Sequence, residues 1–151
     1  MENEFKRIIT PVDGSESSKR SARKAIYLAK KMNIELIALY VVHAPISAYV
    51  GPPYSPLIYT DDTEIKEIRK KMKNEGALLL DEIGEMASKS GLKITKKVIE
   101  GSPDEEIIKI SKKHDLIVMG AKGISAIDRI FLGSVSEKVL HSATSSVLIV
   151  R

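Results

Sequence analysis

Residues 115–137 read Asp115-Leu-Ile-Val-Met-Gly-Ala-Lys-Gly-Ile-Ser-Ala-Ile-Asp-Arg-Ile-Phe-Leu-Gly-Ser-Val-Ser-Glu137. The run from Asp115 to Met119 has strand length and is almost wholly apolar, the pattern of a parallel strand covered on both faces. Glycines then punctuate the chain at 120, 123 and 133, with the spacing G-x2-G-x9-G-S. The last glycine leads into Ser134-Val-Ser-Glu137, which has the spacing of a capping box at a helix start. A strand that opens through a glycine loop onto a helix N-terminus collects free backbone N–H groups and the positive end of a helix dipole. Glycine lets the backbone approach an anion with no side chain in the way, so this arrangement suits a phosphate.

Outward from this stretch, strands and helices alternate. Phe5 to Val12 reads as the first strand, followed by a helix from about Glu16 to Asn33 with Ala22, Ala25, Ile26, Ala29 and Met32 on one face. Glu35 to Val42, nearly all apolar, is the second strand. A long helix begins near Asp61 or Asp62 and ends at Gly91, with Gly76 and Gly84 as possible interruptions. Lys93 to Ile99 is the third strand. The next helix has Ser102 as N-cap, Pro103 in its first position and Glu105 three residues after the cap. Leu116 to Met119, a helix from about Ser134 to Ser142, and Ser146 to Val150 complete the series. This order implies right-handed crossovers and an α/β domain over residues 1–151: an open, Rossmann-like parallel sheet of five strands with helices on both faces.

Composition removes several function classes. The chain has 151 residues and no cysteine, which excludes disulfides, thiolate metal sites and cysteine nucleophiles. The longest apolar run, Leu36 to Val42, is too short to cross a membrane, and the acidic N-terminus does not resemble a signal peptide. A cytoplasmic protein with no membrane partner is expected. The net charge of +4 is mild, and basic clusters at Lys19–Lys24 and Lys66–Lys73 fall on helices as solvated faces. Neither has the aromatic or arginine-rich loops of a nucleic-acid binder. The histidines at 43, 114 and 141 lack ligand spacing, so no metal site is expected on the protein. Residues 44–61 break the rhythm: they hold four of the six prolines and three of the five tyrosines, Tyr49, Tyr54 and Tyr59. Long loops in compact domains are often functional, and these tyrosines either cover a ligand or partner or rest on the surface.

In open parallel sheets, ligands bind beyond the carboxyl ends of the strands where strand order reverses. Adjacent first and fourth strands would bring Asp13, in Pro11-Val-Asp-Gly-Ser15, to the glycine loop. Pro11-x-Asp13, Glu100-Gly-Ser-Pro103 and G-x2-G-x9-G-S followed by Val135 together resemble the universal stress protein family, over essentially the whole chain. The glycine spacing is that of the family's ATP-binding branch. The resemblance implies an adenine nucleotide alpha hydrolase-like fold with strand order 3-2-1-4-5, and ATP as ligand, with Mg2+ carried by the phosphates. It implies that Pro11, Val12 and Asp13 contact the nucleoside and that Val41 offers backbone hydrogen bonds to adenine. Gly120, Ala121 and Gly123 would line the ribose and phosphates. Gly133, Ser134, Val135 and Ser136 would bind the phosphates through backbone N–H groups and two hydroxyls. Lys122 and Arg129 are charge partners by proximity in sequence. Family members often carry a proline before the last strand, where this chain has Ser145-Ser146. The family commonly dimerises there, which implies a homodimer through Val147, Leu148, Ile149 and Val150.

Structural roles compete at several of these positions. Ser134 alternatively caps its helix for Glu137, Gly120 and Gly123 permit a tight turn, and Asp13 is an Asx-turn residue or an N-cap. No P-loop pattern, Ser-His-Asp set or paired carboxylate stands near the glycine loop, and nothing is placed to orient a nucleophile for phosphoryl transfer. No catalytic residue is therefore assigned. The expected function is an ATP-binding stress-response regulator, a nucleotide-dependent sensor or switch with at most slow hydrolysis and an unknown protein partner. A partner-activated ATPase and an interaction module with no nucleotide requirement are the alternatives.

Overall fold

The structure is a computed structural model that describes residues 4–43, 62–122 and 132–151. Its elements, in chain order, are β1 (Arg7–Pro11), α1 (Glu16–Met32), β2 (Glu35–Val42), α2 (Asp62–Lys89), β3 (Thr95–Glu100), α3 (Pro103–Ile110), β4 (Asp115–Gly120), α4 (Ser134–Ser142) and β5 (Ser146–Val150). The strands form one sheet in the order β3-β2-β1-β4-β5, every pairing parallel. Both the alternation and the expected strand order hold.

Helices cover both faces. Ile8, Leu36, Ala38 and Val118 pack beneath Ala22, Ala25 and Ala29 of α1 and Leu80, Ile83 and Ala87 of α2. Leu39, Ile117 and Met119 point the other way, against Ile107 of α3 and Val139 of α4. All six residues of β4 are buried, as its apolar sequence requires of a strand covered on both sides. The alanines of α1 let that helix lie close to the sheet.

Local signals set the helix boundaries. Ser15 caps α1, its hydroxyl accepting the Ser18 N–H at 3.1 Å. Asn33 closes α1 in the left-handed region at φ 54°, its N–H reaching the Ala29 and Lys30 carbonyls. Gly91, at φ 75°, ends α2, and the Leu92 N–H returns to the Ala87 carbonyl at 3.0 Å. The glycines inside α2 do not break it. Gly76 lies under the Tyr40 ring, whose Cε1 is 2.7 Å from where a Cβ would stand. Lys96 passes over Gly84 on its way to Asp81, 2.8 Å away.

Two capping expectations need correction. The N-cap of α4 is Gly133, and Ser134 is already the first helical residue, so Ser134 forms no capping box with Glu137. Ser102 does precede Pro103 as N-cap of α3, but its hydroxyl donates to Asp104 at 2.7 Å and caps no backbone N–H. In both places a short acceptor nearer in sequence, or glycine's own freedom, displaces the side-chain cap. The first strand also starts at Arg7, two residues later than expected, and the third at Thr95. Among the described residues, no helix is long and apolar enough to cross a membrane.

Candidate functional site

The site sits where β1 and β4 part. Their pairing runs only from Arg7–Asp115 to Ile9–Ile117, after which the strand ends diverge. On its other side β1 stays with β2 through Pro11 and Leu39, and the Val12 N–H donates to the Leu39 carbonyl at 2.9 Å. The chain then turns away through Asp13 and Gly14, the latter at φ 88°. Val41 is the next β2 residue with its backbone on the β1-facing edge, and among the described residues nothing from β1 pairs with it. Val12 itself is buried in the core and Pro11 is half-buried.

Asp13 forms an Asx turn, its Oδ1 accepting the Ser15 N–H at 2.9 Å, while its own N–H donates to Ser18 Oγ at 3.3 Å. Ser15 is the N-cap, so Asp13 is not, and its carboxylate stays half-buried beside the start of α1. Its charge and that of Glu75 help raise the Tyr40 phenol above its ordinary value, after the larger effect of burial.

Across the crevice, Gly120 abuts α1. A Cβ there would stand 2.8 Å from the Ser17 carbonyl carbon. Beyond it, Ala121 donates its N–H to the Val150 carbonyl at 3.0 Å, and the half-buried Lys122 donates its N–H to Ser17 Oγ at 3.4 Å. Two contacts then bring the start of α4 back to the end of β4. The Gly133 N–H donates to the Ala121 carbonyl at 2.7 Å, and Ser136 Oγ donates to the Gly120 carbonyl at 2.8 Å.

These contacts change the roles open to two expected phosphate ligands. Gly133 spends its N–H on Ala121, and Ser136, almost fully buried, spends its hydroxyl proton on Gly120. Each group already has a backbone acceptor, which displaces the expected donation to phosphate. What stays available is the first turn of α4. Among the described residues, the backbone N–H groups of Ser134, Val135 and Ser136 meet no capping side chain, and the Ser134 side chain is exposed.

Pro11, Val12, Asp13, Gly120, Ala121, Lys122 and Gly133 to Ser136 therefore gather at the carboxyl ends of β1 and β4, with Val41 at the same end of β2. Gly123 and Arg129 lie outside the described residues, as do the tyrosines at 49, 54 and 59. Ser17 and Ser18 escaped the sequence reading, although the run Ser15-Glu-Ser-Ser18 was a visible signal. His43 also stands at this end of the sheet, with Nδ1 3.1 Å from the Gly101 carbonyl. Among the described residues, no three His, Asp or Glu side chains converge as a metal cage would.

A deeper pair secures the opposite end of β1 and β4. The Arg7 guanidinium grips Asp115 through Nε at 3.0 Å and Nη2 at 2.6 Å, and Asp115 also accepts the Lys112 N–H at 2.8 Å. Burial pushes the Asp115 carboxyl up, but the bonds from Arg7 and Lys112 outweigh it and hold the group below its ordinary value.

A parallel sheet covered by helices on both faces, in the order β3-β2-β1-β4-β5, defines an α/β protein of the Rossmann-like class. The sequence pattern of the universal stress protein family matches residues 4–151, and the chain belongs to that family. It is 39% identical over 152 residues to a universal stress protein of Methanocaldococcus jannaschii, covering 99% of this chain and 84% of that one. The universal stress protein UspA from Lactobacillus plantarum shares the fold, with a TM-score of 0.81, 23% identity and coverage of 97% and 98%. A universal stress protein solved in complex with cAMP superposes with a TM-score of 0.64 at 26% identity, covering 97% of each chain.

Proposed function

We propose that this protein is an adenine-nucleotide-binding regulator that holds ATP in the crevice between β1 and β4. The observation that carries the reading is the uncapped first turn of α4, fixed beside Gly120 at the point where the sheet order reverses. Among the described residues, three N–H groups and the positive end of the helix are left there without a side-chain acceptor, and a phosphate supplies one. The family relative that binds cAMP supports an adenine nucleotide as the class of ligand. In this reading Asp13 accepts from the nucleoside hydroxyls and the unpaired backbone of Val41 meets the adenine edge. Gly120, Ala121, Lys122 and Gly123 border the ribose and phosphates, and the N–H groups of Ser134, Val135 and Ser136 take the terminal phosphates. Arg129 and Lys122 balance charge, and Mg2+ arrives on the phosphates.

The protein then acts in the cytoplasm as a sensor or switch, with hydrolysis slow at most: among the described residues, no group is placed to activate water. Dimerisation through β5 fits the contrast between the sheet edges. β3 carries exposed Lys96, Lys97 and Glu100, which discourage strand addition, whereas β5 offers Val147 to Val150.

The test is to denature freshly purified protein and identify released small molecules by mass spectrometry. Near-stoichiometric ATP is expected from the parent and much less from Asp13→Asn, which keeps the Asx turn but removes the charge. A protein that emerges empty and also fails to bind added ATP with magnesium would overturn the assignment.

A further inference from the structure

The basic residues of α1 are Lys19, Arg20, Arg23, Lys24, Lys30 and Lys31, against a single acid, Glu16. This one helix therefore holds the entire positive excess of a chain whose net charge is +4. Its apolar side lies on the sheet. Its outer flank and the end of β5 enclose an open depression of about 360 Å³, lined by Arg20, Arg23, Lys24, Tyr27, Val150 and Arg151. Among the described residues, none of its four cations is paired with a carboxylate, whereas the adjacent Lys19 reaches Glu82 at 3.3 Å. Arg20 stands three and four residues from Arg23 and Lys24, spacings at which like charges repel along a helix. An anion seated among them relieves that repulsion.

We propose that this depression is a binding site for a compact, multiply phosphorylated anion, separate from the β1–β4 crevice and independent of what that crevice holds. Three of the four cations are arginines, whose forked donors match phosphate oxygens in pairs. The volume suits a small ligand. Tyr27, 58% exposed, forms one wall, with Lys31 Nζ 5.8 Å from its ring centroid adding positive charge. A lipid surface fits less well, because Ala22, Ala25, Ile26 and Ala29 are packed on the sheet and leave no apolar wedge to insert. A long polyanion would be met by charge spread along a surface, whereas these four cations border one open depression beside the end of β5.

The probe is inorganic tripolyphosphate, titrated at low ionic strength while backbone amide resonances are followed residue by residue. Saturable shifts at Arg20 to Tyr27 and at Val150 and Arg151 are expected. The double variant R20Q/R23Q should weaken binding by about tenfold or more, as loss of two charge-assisted contacts implies. K66Q/K70Q, which removes the same charge from exposed positions of α2, should bind like the parent. Equal weakening by both double variants, or shifts confined to 120–122 and 133–136, overturns the proposal. So does tighter binding of duplex DNA, an oligo-aspartate peptide or anionic vesicles at the same residues. Because the readout is residue by residue, an empty nucleotide crevice and an empty α1 depression give different spectra.

Discussion

Ser136 Oγ donates to the carbonyl oxygen of Gly120 at 2.8 Å, and this bond joins the first turn of α4 to the last residue of β4. The two groups are sixteen residues apart, and both are buried. With the Gly133–Ala121 bond beside it, the contact fixes where the free N–H groups of α4 stand relative to the crevice. Ser136→Ala leaves the Gly120 carbonyl buried without its donor, at a cost of about 1–2 kcal/mol. The variant is expected to melt roughly 3–6 °C lower and to retain less nucleotide than its stability loss alone predicts. Calorimetry and nucleotide extraction on the same preparation check both parts.

Gly120 is required for a reason of space. The Cβ of Gly120→Ala would press on the Ser17 backbone, 2.8 Å from its carbonyl carbon, where no flexible side chain can give way. Overpacking of this kind costs about 1–3 kcal/mol. It also pushes the N-terminus of α1 away from β4, so affinity for ATP should fall. Unchanged ATP affinity by equilibrium dialysis would show that Ser17 and Gly120 do not shape the site.

How much of this was legible follows from which signals are local. The apolar runs of β2 and β4, the alternation of elements and Gly91 are properties of short windows, and they predicted a parallel five-stranded sheet; its strand order came with the family resemblance. The glycines at 120 and 133 and Asp13 marked the crevice because turns and close approaches restrict residue type locally. Donor assignments did not follow. Ser134 and Ser102 sit at helix starts with the right spacing, yet neither side chain caps: the N-cap of α4 falls one residue earlier, at Gly133, and the Ser102 hydroxyl, though at the N-cap, turns to Asp104. The pairing of Ser136 with Gly120, of Ser17 with Lys122, and of Gly76 with the Tyr40 ring spans the fold. No local pattern encodes such contacts. The basic run of α1 read as an ordinary solvated face because Arg151 meets it only in three dimensions.

Thr10 is a place where the sequence can be improved. Its side chain is fully buried on β1, and among the described residues Oγ1 has no hydrogen-bond partner. Thr10→Val keeps the branched shape that a strand favours and removes an unsatisfied hydroxyl, so a gain of about 1 kcal/mol is expected. Urea unfolding should show a higher midpoint with an unchanged slope. A lower midpoint would mean that the hydroxyl has a partner in solution.

Leu148, 37% exposed on the outermost strand, is suited to test the dimer. Leu148→Glu places a charge on each of two paired edges. It should convert a dimer into monomers in analytical ultracentrifugation, with little change in the far-ultraviolet spectrum. A parent that sediments as a monomer would remove β5 as the self-association edge.

The Arg7–Asp115 pair gives the fold a pH dependence of defined sign. Asp115 is only 2% exposed, and its carboxyl is held below the ordinary value despite burial. A carboxylate with a depressed folded-state pKa contributes stability that is present above the unfolded value, about 3.9, and lost as pH falls through the folded value. Arg7→Ala removes the two guanidinium bonds and leaves a buried charge with the Lys112 N–H alone, so burial then pushes the carboxyl upward. The variant should be about 2–3 kcal/mol less stable than the parent at neutral pH. Its deficit should begin to shrink as pH falls through the variant's raised carboxyl value, and go on shrinking below about 3.9 as the parent's depressed carboxylate is protonated in turn. Urea unfolding of both proteins from pH 3.5 to 7 measures the difference directly. A deficit that stays constant across that range would assign the loss to the packing of the Arg7 stem, with no contribution from the ion pair.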